Sequence, residues 1–452
     1  MTGASVMRVR FKSSILPAIV LTLAISAAPE AMAAFSTPYA LSNGASMGGV
    51  VPLAAGPQTL AAWDGGSQFS FAAETGGVWS ASSPIANALS SSTCCTVLHA
   101  DAAGNATLVF SAHGVGTFTS DYSAGAWSTV QQLPSTPPYF VNGFDTFVEN
   151  ANGDAAVVGI GSDFRAVRRT ANGAWGAVET IPAPALPNTV ATIDGAAIGA
   201  GGDLVVSFHV IDQDCETAHC HLALYAATEA QAGAGWHLSK RLSPFAAGTF
   251  MQSQPAVDSR GRAMIVYTAK FGASAELRSI VQHAPSGAWK LGQILDSEPA
   301  IQGRHRFGFT LGGAETDADG NATVVYTAPN LPGSTNAVRS IDGSVVNDVW
   351  GAPVTLIPSG PLGDPGHPLH FASNTVGGIV LAWDNDNAPI TVGARASTGS
   401  AWAKTGPVGP SQCGYNGYVC TDVLSISIDD SGVQRILYDD VLAGSLFFSQ
   451  SL

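Results

Sequence analysis

Asp212, Asp214, Glu216, His219 and His221 crowd into one short stretch with Cys215 and Cys220. Carboxylates at that density suit Ca²⁺, and paired imidazoles suit a transition metal. The spacing matches no defined metal loop, and a Cys215–Cys220 disulfide would remove the sulfur ligands. The stretch therefore reads as a solvated polar loop, and neither a metal site nor a cofactor is expected. A second acidic set follows inner strands: Asp384 and Asp386, in Asp384-Asn-Asp-Asn387, and the pair Asp439-Asp440. With Asp364, His367 and His370 they would line a polar funnel. Two carboxylates hydrolyse glycosides when their separation suits water or a covalent intermediate; without that separation they solvate loops. Arg304-His305-Arg306 is the basic cluster on the same face, with Arg165 elsewhere. Tyr139, Phe140, Phe164, Phe250, Phe271, Tyr415 and Tyr418 interleave with these polar groups. Aromatic faces beside hydrogen-bonding groups suit sugar rings. The candidate ligand contacts are thus Asp384, Asp386, Asp439, Asp440, Tyr415, Tyr418, Arg304, His305 and Arg306.

A repeat positions these groups. Trp79, Trp127, Trp175, Trp236, Trp289, Trp350 and Trp402 recur along the chain, and each has an apolar residue six positions later: Ile85, Leu133, Ile181, Leu242, Leu295, Leu356 and Val408. Phe35 and Leu41 fit the same frame. A second marker is a tight turn before an apolar strand, clearest at Asp101-Ala-Ala-Gly104-Asn105-Ala106 and Asp317-Ala-Asp-Gly320-Asn321-Ala322. Variants begin at Asn150, Asp258 and Asp429; Gly202, Gly377 and Gly56 complete the set. A glycine at one turn position throughout implies a backbone with φ > 0. The following residues, such as Thr323-Val-Val-Tyr326, are strand formers, and helical periodicity is absent.

Each unit reads as four strands over about fifty residues, which is the length of a propeller blade. The expected fold is an all-β propeller of eight four-stranded blades, seven if one unit is degenerate. The last unit lacks a following Trp strand, and the Phe35 strand lacks an earlier partner. Pairing these ends closes the ring and leaves no sheet edge exposed. The Trp strand is then outermost and the strand before the Asp turn lines the channel. Short Asp–Gly hairpins occupy one face. Long irregular connections occupy the other, at residues 210–221, 296–307, 358–370 and 409–423, and all six cysteines are expected in them.

Residues 1–33 read as a signal peptide: Arg8, Arg10 and Lys12, an apolar run at 15–27, then Ala31-Met-Ala33 before a cleavage point. Residues 34–452 form the single propeller domain, exported to the periplasm or beyond, with no membrane insertion. The net charge of −14 excludes phosphate-driven nucleic-acid binding. Six cysteines in an exported chain read as disulfides. Spacing favours Cys215–Cys220 and Cys413–Cys420, leaving Cys94 and Cys95. A bond between neighbours is strained, because adjacent Cα atoms lie about 3.8 Å apart. Free thiols or another pairing are the alternatives. The sequons at Asn105 and Asn321 fall in the structural turn and read as coincidence.

The Asp-x-x-Gly-Asn-Ala turn with its later Gly-x-Trp strand resembles exported bacterial β-propeller repeat proteins. It is loosely similar to sialidase Asp-box propellers and propeller lectins. The sialidase box has one residue fewer between Asp and Gly and ends in Trp. Sialidases also use three arginines with a Tyr–Glu pair, whereas the face here offers only Arg165, Arg304 and Arg306. That activity is not carried over. Eight-bladed quinoprotein dehydrogenases share Trp-bearing repeats and an adjacent cysteine pair like Cys94-Cys95, but their repeat motif is absent. The expected function is non-catalytic binding of an extracellular or envelope glycan or protein, by a monomer, through the long-loop face. A glycosidase or lyase using the funnel carboxylates is the enzymatic alternative, and an interaction scaffold is the third.

Overall fold

The computed structural model describes residues 35–451 except 44–47, 54–57, 90–92, 113–114, 135–145, 161–162, 172, 213–220, 245, 248–251, 272, 286, 291, 300–308, 331–334, 358–368, 375, 386–387, 409–420 and 441–444. All regular structure among them is β, in eight antiparallel sheets. Blade 1 opens with the innermost strand Gly48–Leu53 and blade 2 with Thr93–Ala100. Blades 3 to 5 open with Thr146–Glu149, Thr189–Ile198 and Gln252–Val257. Blades 6 to 8 open with Thr310–Thr316, Leu369–Ser373 and Thr421–Ile428. Each innermost strand packs against those of both neighbouring blades, blade 8 returning to blade 1, so the array is an eight-bladed propeller. In blades 1 to 7 strand order follows the chain from channel to rim, with the outermost strand at or just after the Trp; in blade 8 the N-terminal strand Tyr39–Asn43 is outermost. That outer strand is broken into two short pieces in blades 1, 2, 4, 5 and 6.

The ends close the ring as the sequence implies. Tyr39–Asn43 pairs antiparallel with Ser445–Gln450, and Phe35 bridges Ser451. The Ser36 amide donates to the Gln450 carbonyl at 2.7 Å, and Ser449 Oγ donates to the Ser36 carbonyl at 2.9 Å. The edges of blade 8 are thereby paired rather than open.

The turn repeat has a concrete cause. Asp101 Oδ1 accepts the Asn105 amide at 2.8 Å, and the Asn105 side chain donates to Asp101 Oδ2 at 2.8 Å. Asp317 and Asn321 repeat both bonds. The turn glycines 104, 153, 202, 261, 320, 377 and 432 all have φ between 74° and 88°. Gly56 lies outside the described residues. A β-carbon in that left-handed region is costly, which is why glycine recurs. Neighbouring turns also bond to each other. The Ala102 amide donates to Ala151 O at 2.9 Å, Asn150 Nδ2 to Gly199 O at 2.7 Å, and Asn374 Nδ2 to Asp429 O at 2.8 Å. The turn face is thus a stitched structural rim.

The second strand of each blade is buried on both faces, so it reads as a continuous apolar run; Ala106–Ala112 is buried throughout. Nine residues after the turn residue stands a buried aromatic in six blades: Phe110, Phe208, Tyr267, Tyr326, Trp383 and Tyr438. Burying each such ring contributes about 2–3 kcal/mol. Two buried arginines lock seams four blades apart. Arg169 of blade 3 donates to Thr107 and Asp121 of blade 2 and to Glu149 of its own blade. Arg395 of blade 7 repeats this with Thr323 and Asp342 of blade 6. Each guanidinium lies over the Trp of its own blade, Arg169 5.1 Å from Trp175 and Arg395 4.9 Å from Trp402. The two sequon threonines therefore serve as buried seam acceptors.

Three placements differ from the sequence reading. Cys94 and Cys95 lie in the innermost strand of blade 2, not in a loop, because Thr93, Thr96 and Val97 extend the strand outward around a bulge. Asp296 lies in the outer strand Ile294–Pro299 of blade 5. Asp384 lies within the second strand Ile379–Asn385, and Asp439 and Asp440 end the second strand Gln434–Asp440, rather than following them. Cys215, Cys220, Cys413 and Cys420 lie outside the described residues, as do residues 1–33.

Candidate functional site

Second strands run from the turn face to the long-loop face, and this fixes where the acidic candidates emerge. Asp439 pairs with Asp422 and Asp440 with Thr421, at the loop end of blade 8. Asp384 occupies a register break between Trp383↔Thr391 and Asn385↔Ala388, at the loop end of blade 7. The second strand of blade 7 packs on the innermost strand of blade 8, so these backbone positions share the loop end of one seam. His370 pairs with Ala382 on the innermost strand of blade 7, toward the same end. Asp386, Tyr415, Tyr418, Arg304, His305, Arg306, Asp364 and His367 lie outside the described residues. Arg165 is ion-paired with Asp163 at 2.7 Å, and Phe164 is buried edge-on against Phe208 at 5.1 Å, so that aromatic plugs the blade. Phe271 carries the Arg278 guanidinium 4.8 Å over its ring.

Deeper between blades lies a polar cluster at the seam of blades 4 and 5. Asp194 is the extra residue of a bulge between Ile193↔Phe208 and Gly195↔Ser207. The bulge turns its carboxylate into the seam. There Oδ1 meets His209 Nδ1 at 2.7 Å and Oδ2 accepts Ser253 Oγ of blade 5 at 2.7 Å. Burial pushes the Asp194 carboxyl up, opposed by the bonds from His209 and Ser253. The residue types are those of a hydrolase triad, but the carboxylate is central. A serine nucleophile needs histidine between itself and the acid. The geometry bridges two blades and cannot relay a proton from Ser253 to His209.

A second cluster joins blades 5 and 6. Tyr326 OH donates to Asp296 Oδ2 at 2.7 Å, and Arg339 Nη1 donates to Asp296 at 2.7 Å and Glu298 at 2.9 Å. Desolvation and the Asp296 carboxylate push the Tyr326 hydroxyl up. Both carboxylates are held by one guanidinium, which ties the outer strand of blade 5 to the third strand of blade 6. Blade 5 repeats the cross-strand pairing with Tyr267 opposite Arg278, itself bonded to Glu276 at 2.6 Å. Among the described residues no group of three or more His, Cys, Asp or Glu side chains could hold a metal ion, and no helix is long and apolar enough to cross a membrane.

No protein-family model matches the sequence, and no curated protein matches it. Several solved structures are similar to it. A polysaccharide lyase, an ulvan lyase, is similar at 11% identity and a TM-score of 0.44, over 78% of this chain and 92% of that one. The Hadza microbial sialidase is similar at 13% identity and 0.40, over 86% and 74%. The Aleuria aurantia lectin is similar at 13% identity and 0.35, over 67% and 90%.

The seam clusters escape a motif search because each is assembled from different blades. One signal was available: His209 interrupts the apolar run Leu204-Val-Val-Ser-Phe-His-Val210, where both faces are buried. A titratable group there must have a partner. Nothing local points to Asp194 or Ser253, which come from separate innermost strands.

Proposed function

We propose that this propeller is an exported, non-catalytic binding module that takes a glycan through its long-loop face. One observation carries the reading: the two ends of the ring are built differently. The turn end is stitched by recurring Asx bonds and turn-to-turn bonds, with one glycine conformation throughout. The opposite end carries the variable connections between blades, where sequence can change without disturbing the sheets. In sequence, Tyr415, Tyr418, Arg304, His305, Arg306 and Asp386 fall between strands that meet at that end, and the backbone positions Asp384, Asp439 and Asp440 lie at strand ends there. Aromatics for the apolar face of a pyranose and polar groups for its hydroxyls are the needed complement.

The adjacency of the Asp384 and Asp439–Asp440 positions favours one second reading, a glycosidase or lyase at the seam of blades 7 and 8. A glycan array, with mass analysis of each captured glycan for shortened or unsaturated products, separates the two. Saturable capture without products, weakened by Tyr415→Ala or Tyr418→Ala, supports the binder. Products that disappear in Asp384→Ala or Asp439→Ala overturn it.

A further inference from the structure

The seam of blades 6 and 7 is built unlike its neighbours. In other seams, the apolar residue six positions after each Trp is sealed inside: Ile85, Leu133, Ile181, Leu242, Leu295 and Val408 are at most 7% exposed. Leu356 is half-buried, as is Leu41 in the frame that Phe35 opens. One difference from three other seams lies in the facing strand. Leu133, Leu242 and Leu295 pack in the same clusters as Val167, Ile280 and Ile341, which project from the third strand of the next blade. At the matching position of blade 7 the residue is Gly393, opposite Leu381 in the second strand and Lys404 in the outer strand. A β-carbon there would meet Leu381 at 3.5 Å, an ordinary contact that the site tolerates. Blades 1, 2, 4 and 8 also carry small residues at this position, Ala73, Ser120, Ala227 and Ser449; Ile85, Ile181 and Val408 facing the last three stay buried, and Leu41 facing the first is half-buried.

Gly393 borders a cavity of about 430 Å³ that opens between the outer strands of blades 6 and 7. Leu381 and Trp383 line it from the second strand of blade 7, and Trp402 from the start of the outer strand. Trp402 is fixed by its Nε1 donating to Ser340 Oγ at 3.1 Å and by Arg395 over its ring. Ser340, Thr355 and Ser400 supply hydroxyls. Arg395 is matched by Asp342 through bonds of 2.7 and 2.6 Å, yet its buried Nε has no partner among the described residues. Lys404 is exposed at the mouth and pairs with no carboxylate among the described residues. The walls therefore combine two indoles, three hydroxyls and one net positive charge.

We propose that this cleft is a second binding site, separate from the long-loop face, and that it takes a single acidic pyranose, such as a uronate residue. The volume falls in the range of small-molecule pockets. The half-buried Trp402 offers apolar surface to a ring beside the buried Trp383, and the hydroxyls match its own. The unmatched Lys404 charge selects an anionic sugar over a neutral one of the same size. One sugar of this size binds with a dissociation constant on the order of 1 mM.

The test uses the full-length protein with glucuronic acid, galacturonic acid and glucose, followed by ligand-observed NMR and tryptophan fluorescence. Wild type should bind at least one uronate, about tenfold tighter than glucose, and 0.5 M NaCl should reduce that preference. Gly393→Val copies the residue of blade 3 and should weaken binding at least tenfold while leaving thermal stability unchanged or raised. Lys404→Gln changes an exposed residue and should bring uronate down to the level of glucose. Uronate binding by Gly393→Val equal to wild type places the ligand elsewhere and overturns the proposal. Equal binding of uronate and glucose by wild type, or no uronate binding at 20 mM, also overturns it. If Gly393→Val does not fold, Lys404→Gln decides alone, an unchanged uronate preference refuting the site. Asp384→Ala and Tyr415→Ala should leave uronate binding intact, so failure here and failure of the long-loop reading remain distinguishable.

Discussion

Glu315 offers a quantitative check on how the innermost strands pack. It stands two residues before the Asp317 turn, partly accessible, and hydrogen-bonds Ser373 on the innermost strand of blade 7. Burial pushes its carboxyl up from 4.5 to about 7, and the Ser373 bond only partly opposes this. The folded ring therefore prefers the neutral acid. The stabilisation is complete below pH 4.5, declines as pH rises, and is gone above about 7. A difference of about 2.5 pH units is worth at most about 3 kcal/mol, and water reaching the side chain lowers this toward about 1. Glu315→Gln keeps the shape and removes the titration. Urea unfolding of both proteins at intervals from pH 4.5 to 8 gives the difference directly. The variant should gain about 1–3 kcal/mol on wild type across that span, or about 1–3 °C in melting temperature for a ring of this size. His99 holds the same repeat position in blade 2, edge-on to Phe147 at 5.2 Å, and burial lowers it to about 4. Its stabilisation is lost as pH falls below 6.5, with the opposite slope. Only the difference between wild type and variant isolates Glu315. A difference independent of pH would refute the packing argued for this seam.

Arg169→Leu should cost about 3–5 kcal/mol, because it strands Glu149 in a buried seam, and adding Glu149→Gln should recover part of the loss; denaturant titration of the three variants checks this. Removing residues 35–43 from the chain should lower the melting temperature and promote association through the exposed edge of Ser445–Gln450, read by calorimetry and light scattering. Peptide mapping without reduction, on protein purified from an oxidising compartment, should find Cys215 joined to Cys220 and Cys413 to Cys420, with the mature chain beginning at Ala34.

The fold was legible because the repeat acts on backbone conformation. A positive-φ glycine, an Asx acceptor and a Trp at fixed offsets impose the same hairpin wherever they occur, so strand order and ring closure follow from their spacing. The buried aromatic nine residues after the turn residue in six blades was equally readable, since Phe110, Phe208, Tyr267 and Tyr326 lie in strand-forming runs. The strand ends were harder. Cys94 and Asp384 sit at bulges, and one extra residue moves the boundary between loop and strand without changing composition. The sites between blades were not legible, because they depend on what faces a residue across a seam. Gly393 borders a cleft only because the outer strand of blade 6 faces it across the seam, and Asp194 meets Ser253 only because blades 4 and 5 adjoin.

The claim that the long-loop face is the binding face is tested most directly by hydrogen–deuterium exchange of the full chain with and without the tightest-binding glycan from the array. Protection should map to residues 358–368, 409–420 and the strand ends at Asp384, Asp439 and Asp440, with the turns at Asp101, Asn150, Asp258, Asp317 and Asp429 unchanged. Protection confined to those turns, with the long connections exchanging as in the free protein, would contradict the account.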